Sequence, residues 1–364
     1  MGIIPPRLDP GVTLPDLCSQ KAMNYQLFGT KTGLWVSELA LGTSNFGTGT
    51  GYGADPAEAR RIWAGYVAAG GNFIDVSDAY QQGEAERLVG QLIGPDRGDF
   101  VLTSKYTRTT SPTAAIAQLG NHRKAMTQAV EASLRRLGTD YLDLYLVHLP
   151  DGVTPVAEIA RGFEDLARAG KILYGGFSNF PAWRVAAAAT LADLRGWVPL
   201  AGIQVEFSLL QRTAERELLP MAEGLGLGVM GYSPLGGGVL TGKYRRGETG
   251  RASLLGAPTA SAPIDAILDV LLALAQELGA APGQVATAWA MTRGVVPIIG
   301  ARTRPQFDEQ LGAAALALRP EQLQRLAAAS AVPLGYPHDL LSGQQNLLTG
   351  NRADRVRWPA RPVA

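Results

Sequence analysis

The chain has 364 residues and a net charge of +1 from 33 basic and 32 acidic side chains, so no charge excess marks a nucleic acid or an anionic membrane as partner. A single cysteine, Cys18, excludes an intramolecular disulfide framework, and three scattered histidines, His122, His148 and His338, give no metal-ligand cluster. No apolar stretch reaches ~18 residues and the N-terminus lacks the order of a signal peptide, so the expected address is the cytoplasm and the expected partners are small molecules, with the oligomeric state left open.

Residues 1–22 read as a loose extension, and Met23 opens the patterned part of the chain. Tyr25-Gln-Leu-Phe and Leu34-Trp-Val flank a Gly-Thr-Lys-Thr-Gly turn, which predicts a short hairpin plugging one end of the fold. Apolar runs expected as strands follow at 36–41, 72–76, 100–104, 141–147, 172–177, 200–205, 227–232 and 295–299. Between them, segments 57–69, 84–93, 121–137, 155–169, 182–193, 215–225 and 283–293 space their apolar residues at threes and fours, as helices burying one stripe do. Continuous apolar strands are buried on both faces, and strand–helix alternation implies a parallel sheet. The series predicts an α/β protein, a (β/α)8 TIM barrel over 23–332 with a long loop after the seventh strand at 236–262. An irregular tail, 333–364, is expected as a candidate substrate loop, with Trp358 reaching the pocket.

Polar residues close successive apolar runs: Asp75, Lys105, His148 and Ser178-Asn179. In a parallel barrel these all emerge at the end of the sheet where barrel enzymes do chemistry. The spacing Asp75-Val-Ser-Asp-Ala-Tyr80 adds a phenol, and carboxylate, phenol, ammonium and imidazole together suit proton transfer coupled to another bond change. A free phenol titrates near ~10. Lys105 beside Tyr80 is expected to lower that value, with Asp75 keeping the ammonium charged and a neutral His148 holding a substrate oxygen in line. Taken singly each residue has a plainer reading: Asp75 and Lys105 as a structural ion pair, His148 as a satisfied core histidine, Tyr80 as a rim residue, Asp78 as a solvated loop acid.

Gly49-Thr-Gly51-Tyr-Gly53-Ala54 matches the G-x-G-x-x-A dinucleotide fingerprint, but the glycine-rich stretch begins at Gly42 and is too long for the tight turn that fingerprint needs. Gly237 to Lys243 meets the G-x-x-x-x-G-K spacing of a phosphate loop, yet Tyr244 stands where a magnesium-binding hydroxyl belongs. After the last strand, Arg302, Thr303 and Arg304 open a helix, where free N–H groups and cations suit a 2′-phosphate and favour NADPH over NADH.

Phe73-Ile-Asp75 with Tyr80, Thr103-Ser-Lys105, Val147-His148 and the stretch Leu134-Arg-Arg-Leu-Gly-Thr-Asp-Tyr-Leu-Asp143 resemble, in order and spacing, the motifs of the aldo-keto reductases. The resemblance covers about residues 23–330 and is nearest the branch of aryl-alcohol dehydrogenases and channel β-subunits. It implies Asp75, Tyr80, Lys105 and His148 as a catalytic tetrad, and Ser178, Asn179 and Gln204 as holders of a nicotinamide carboxamide under a stacking Tyr232. It also implies a loop from Gly237 to Lys243 over the pyrophosphate and contacts from Gln306 and Glu309 to the adenosine, Gln310 departing from the usual asparagine. Gly42, Thr43, Ser233, Leu235 and Gly300 complete the implied NADPH/NADP+ site, and Phe46, Tyr106, Leu149 and Phe180 the implied substrate walls. The implied activity is NADPH-dependent interconversion of aldehydes or ketones with alcohols; the alternative is an NADP(H)-binding regulatory subunit of a membrane channel.

Overall fold

A computed structural model describes residues 23–111 and 113–357, so Cys18 and Trp358 lie outside the described residues. The chain begins with an antiparallel hairpin, β1 (Tyr25–Leu27) and β2 (Trp35–Ser37). The barrel strands are β3 (Ala40–Gly42), β4 (Phe73–Asp75), β5 (Val101–Tyr106), β6 (Leu142–Val147), β7 (Ile172–Ser178), β8 (Leu200–Glu206), β9 (Gly228–Tyr232) and β10 (Val296–Ile299). All pair in parallel in the order β3 to β10, and β10 returns to β3 to close the barrel. The single run expected at 36–41 is thus two strands, broken where the backbone leaves the hairpin to enter the barrel.

Helices α1 (Pro56–Ala68), α2 (Glu84–Ile93), α3 (Arg123–Leu137), α4 (Val156–Arg168), α5 (Ala182–Arg195) and α6 (Leu218–Gly224) separate the strands up to β9. The long segment after β9 is built of 3-10 turns at Gly236–Thr241 and Lys243–Arg246 and the short α7 (Arg251–Leu254). It leads to α8 (Ala262–Leu278) and α9 (Pro282–Met291); after β10 come α10 (Arg304–Leu311), α11 (Pro320–Ala329), α12 (His338–Ser342) and α13 (Gln345–Leu348). Helix α8 falls outside the expected series, although its buried residues Ile267, Leu268, Leu271, Leu274 and Ala275 recur at threes and fours as in the other helices. Ser261 caps it, accepting from the Ile264 amide, with Pro263 in the first turn.

The hairpin plugs the N-terminal end of the barrel. Phe28 is buried edge-on to Phe73, their centroids 5.2 Å apart, and lies against Gly202 and Gly228. A Cβ at Gly228 would stand 2.5 Å from that ring, so glycine makes room for the plug. Tyr66 of α1 ties hairpin to barrel: its hydroxyl lies 2.9 Å from the Leu39 carbonyl and 2.8 Å from that of Phe73, accepts from the Phe73 amide at 2.9 Å, and meets Ser37 Oγ. Burial raises its pKa beyond the usual phenol range. Tyr66→Phe leaves these groups without their partner in a dry interior and is expected to cost about 1–3 kcal/mol, read as a lower urea midpoint at unchanged slope. An unchanged midpoint refutes it.

Candidate active site

The C-terminal ends of the strands open into a cavity of about 660 Å³. Lys105, buried in β5, anchors its floor: its Nζ lies 2.8 Å from Asp75 Oδ1, donates to Val76 O at 2.9 Å and donates to the Tyr80 hydroxyl at 3.1 Å. Gln204 of β8 donates to Asp75 Oδ1 at 2.7 Å, so the carboxylate is held from both sides. Burial alone would lower the Lys105 pKa, but Asp75 and the Tyr80 oxygen outweigh it and the value is raised, which keeps the ammonium charged. The Tyr80 pKa is raised, not lowered as expected from the sequence: burial outweighs the attraction of Lys105. The phenol therefore stays protonated through the neutral range.

His148 follows β6 and turns its ring edge-on to Tyr80, centroids 6.0 Å apart. Burial, then Lys105 and Arg108, press its pKa down to about 2, so the imidazole is neutral. Its Nδ1 lies 3.2 Å from Ser77 Oγ. Asn179 adopts φ 62°, and from there its Nδ2 donates to the His148 carbonyl at 3.0 Å while its Oδ1 accepts from the Tyr232 hydroxyl at 2.9 Å. Gln81, Gln82, Thr107 and Ser233 also hold positive φ in loops at this end of the barrel. Each such non-glycine residue stores roughly 1–3 kcal/mol of strain, which rigid surroundings must hold.

The cavity brings together most of the expected residues. Asp75, Tyr80 and His148 line it, with Gly42, Asn179, Gln204, Tyr232, Ser233, Leu235, Gly237, Lys243, Gly300, Arg302, Gln306, Glu309, Gln310 and Leu149. Lys105 lies beneath the floor, and the other expected residues stand away from the lining. Tyr106 follows Lys105 in the same strand, so the two point to opposite faces; its ring stacks on Tyr145 and its hydroxyl donates to Asn121 O at 3.1 Å. Phe180 packs on Phe177 at 4.7 Å and Phe46 is buried; neither is among the residues that line the cavity. Thr43 spends its hydroxyl on Asp75 O, Ser178 is buried beneath Asn179, and Thr303 caps α10 by accepting from the Gln306 amide.

Arg304 turns away altogether. Its guanidinium bonds Asp308 at 2.6 Å and the Arg61 carbonyl at 2.9 Å against α1, where Gly65 leaves room for it. The described part of the tail, 333–357, adds nothing to the lining; Arg216 instead fixes it from outside, donating to Pro333 O. The glycines from Gly42 to Gly53 form a long loop, held where the Thr48 and Gly49 amides donate to Glu84, and not a dinucleotide turn. Lining residues that the sequence reading passed over include Tyr52, Arg108, Arg246 and Arg251. Arg246 and Arg251 belong to the arginine-rich segment after β9, and that clustering was the available signal.

Arg302 lies over the Tyr52 ring, 4.2 Å from its centroid. Tyr244, by donating to Gly237 O at 2.9 Å and accepting from the Ala252 amide at 3.0 Å, knits the loop after β9 into one body. Among the described residues there is no cluster of His, Cys, Asp or Glu placed to hold a metal ion, and no helix long and apolar enough to cross a membrane.

Comparisons with known proteins agree with this geometry. The chain is 36% identical over 320 residues to an uncharacterized oxidoreductase of Bacillus subtilis, covering 84% of this chain and 95% of that protein. It is 32% identical over 332 residues to norsolorinic acid reductase of Aspergillus flavus, covering 87% and 84%, and 28% identical over 327 residues to a putative aryl-alcohol dehydrogenase of Saccharomyces cerevisiae, covering 85% and 87%. The model of the aldo/keto reductase family matches residues 38–331, spanning the barrel and the cavity at its C-terminal end, so this oxidoreductase chain belongs to that family.

Proposed function

We propose that this chain interconverts aldehydes or ketones with alcohols using NADP(H), with Tyr80 as general acid and base. The observation that carries the reading is the Tyr80 hydroxyl 3.1 Å from the Lys105 ammonium, at the floor of a cavity of about 660 Å³, within the size range of small-molecule sites. The donor set fits a nicotinamide dinucleotide: amides of Asn179 and Gln204 stand on the strand-end side, and Lys243, Arg246, Arg251 and Arg302 supply cations from the loops after β9 and β10. Such a cofactor, when bound, supplies the hydride that no side chain can. In reduction, Tyr80 gives its proton to the oxygen of the carbonyl as that oxygen gains charge, and Lys105 steadies the phenolate left behind. Neutral His148 orients the same oxygen without competing as an acid.

The names of relatives that refer to aryl alcohols favour an aryl carbonyl or carbinol as substrate class. A panel of aryl and alkyl aldehydes, ketones and alcohols with NADPH tests this; carbonyl-dependent loss of NADPH absorbance separates the enzyme from a channel-binding regulatory subunit, which turns over little. A second test concerns the 2′-phosphate. Arg302→Ala is expected to weaken NADPH binding about tenfold or more while changing NADH binding little, the worth of a charge-assisted contact. Arg304→Ala spares both, because that guanidinium is committed to Asp308. Equal affinity of the unaltered protein for NADPH and NADH, by fluorescence quenching, sinks the assignment.

A further inference from the structure

Ser77 and Asp78 play no part in the chemistry described above, yet they continue it inward from the cavity. Ser77 Oγ lies 3.2 Å from His148 Nδ1 and 3.1 Å from Asp78 Oδ1, so imidazole, hydroxyl and carboxyl form one hydrogen-bonded row. All three residues are buried. We infer that Ser77 and Asp78 are positioning residues that set the tautomer of His148, and through it whether the cavity offers a donor or an acceptor to the substrate oxygen. The inference rests on the reading that His148 meets that oxygen.

The row admits two proton orders. With Asp78 ionised, Ser77 donates to the carboxylate and accepts from Nδ1–H, leaving Nε2 an acceptor suited to an alcohol hydroxyl. With Asp78 protonated, the carboxyl donates to Ser77 and Ser77 to Nδ1, which places the ring proton on Nε2, a donor suited to a carbonyl oxygen. The protons balance: one entering at Nε2 moves the Nδ1 proton to Ser77 and the Ser77 proton to Asp78.

The surroundings place the carboxyl where it titrates usefully. Burial, then repulsion from Glu86 of α2, push Asp78 up to about 7 against the pull of Ser77 and Arg136. Arg136 is itself engaged by Glu86, at 2.6 Å, which blunts its hold on Asp78. The other titratable group facing it is the buried Tyr145 phenol of β6, whose hydroxyl has no partner among the described residues and whose pKa burial raises well above the usual value. On the imidazole side stand Tyr80, Lys105 and Arg108, and His148 stays neutral throughout, so it is the tautomer and not the charge that changes.

The test uses the full chain with ¹⁵N-labelled histidine, the His148 signals being identified by their loss in His148→Gln. Long-range proton–nitrogen spectra from about pH 5 to about pH 9 should show the Nε2–H form giving way to the Nδ1–H form, as a neutral imidazole changing partners does. Ser77→Ala, which removes only the hydroxyl, and Asp78→Asn should each leave one tautomer at every pH. In parallel, kcat/KM for carbonyl reduction should fall roughly tenfold across the wild-type transition and lose that step in both variants. A single wild-type tautomer over the range, or a switch that survives Ser77→Ala, overturns the inference. Should the switch appear as described while Tyr80→Phe and His148→Gln keep full turnover, the row is confirmed and the catalytic reading of the site is what falls.

Discussion

Tyr80→Phe is expected to lower kcat for carbonyl reduction by about 10² or more, the range of lost general acid–base catalysis, and to leave NADPH affinity nearly unchanged. The variant loses one oxygen. That oxygen accepts from Lys105 Nζ at 3.1 Å and is the only atom of the side chain able to give a proton to the substrate. Burial, more than any neighbour, holds the phenol proton on through the neutral range, and on the proposed reading Lys105 offsets the proton's departure by stabilising the phenolate. The ring remains to pack against His148, so the fold should stand, checked by an unchanged urea midpoint. Turnover near the wild-type rate removes Tyr80 from its role.

The sequence discloses the barrel because strands buried on both faces read as short unbroken apolar runs, and it discloses the floor of the site because those runs end in Asp75, Lys105 and His148. Strand ends are set by local pattern. Which way a loop or rim side chain faces is set by partners distant in the chain, and there the sequence misleads. Arg304 has the right charge at the right helix start, but Asp308 and the Arg61 carbonyl draw it onto α1. Phe46 and Phe180 have the right chemistry for a substrate wall, yet the closer competitor for an apolar ring is the core itself. The same holds for protons: nearness of Lys105 suggested a lowered phenol pKa, and only the degree of burial reverses the sign. Asp78 shows the opposite error, a loop acid by pattern that the structure buries beside Ser77.

Lys105→Met is expected to damage both stability and turnover, and the two losses can be separated. Methionine keeps most of the length of the side chain but removes the cation, so Asp75 remains as a buried carboxylate with Gln204, at 2.7 Å, to answer it. Breaking a buried pair from one side costs about 3–5 kcal/mol, a penalty that belongs to the stranded charge more than to the lost contact. Turnover should fall by about 10² or more, because Tyr80 loses the donor that steadies its phenolate. Asp75→Asn in the same chain removes the stranded charge while Gln204 keeps an oxygen to donate to, so the double variant should regain most of the stability. It should regain none of the activity, since neither replacement restores a cation within 3.1 Å of the phenol oxygen. If the double variant were no more stable than Lys105→Met alone, the buried carboxylate would not be the source of the cost; if its turnover returned, Lys105 would be a structural partner of Asp75 and nothing more.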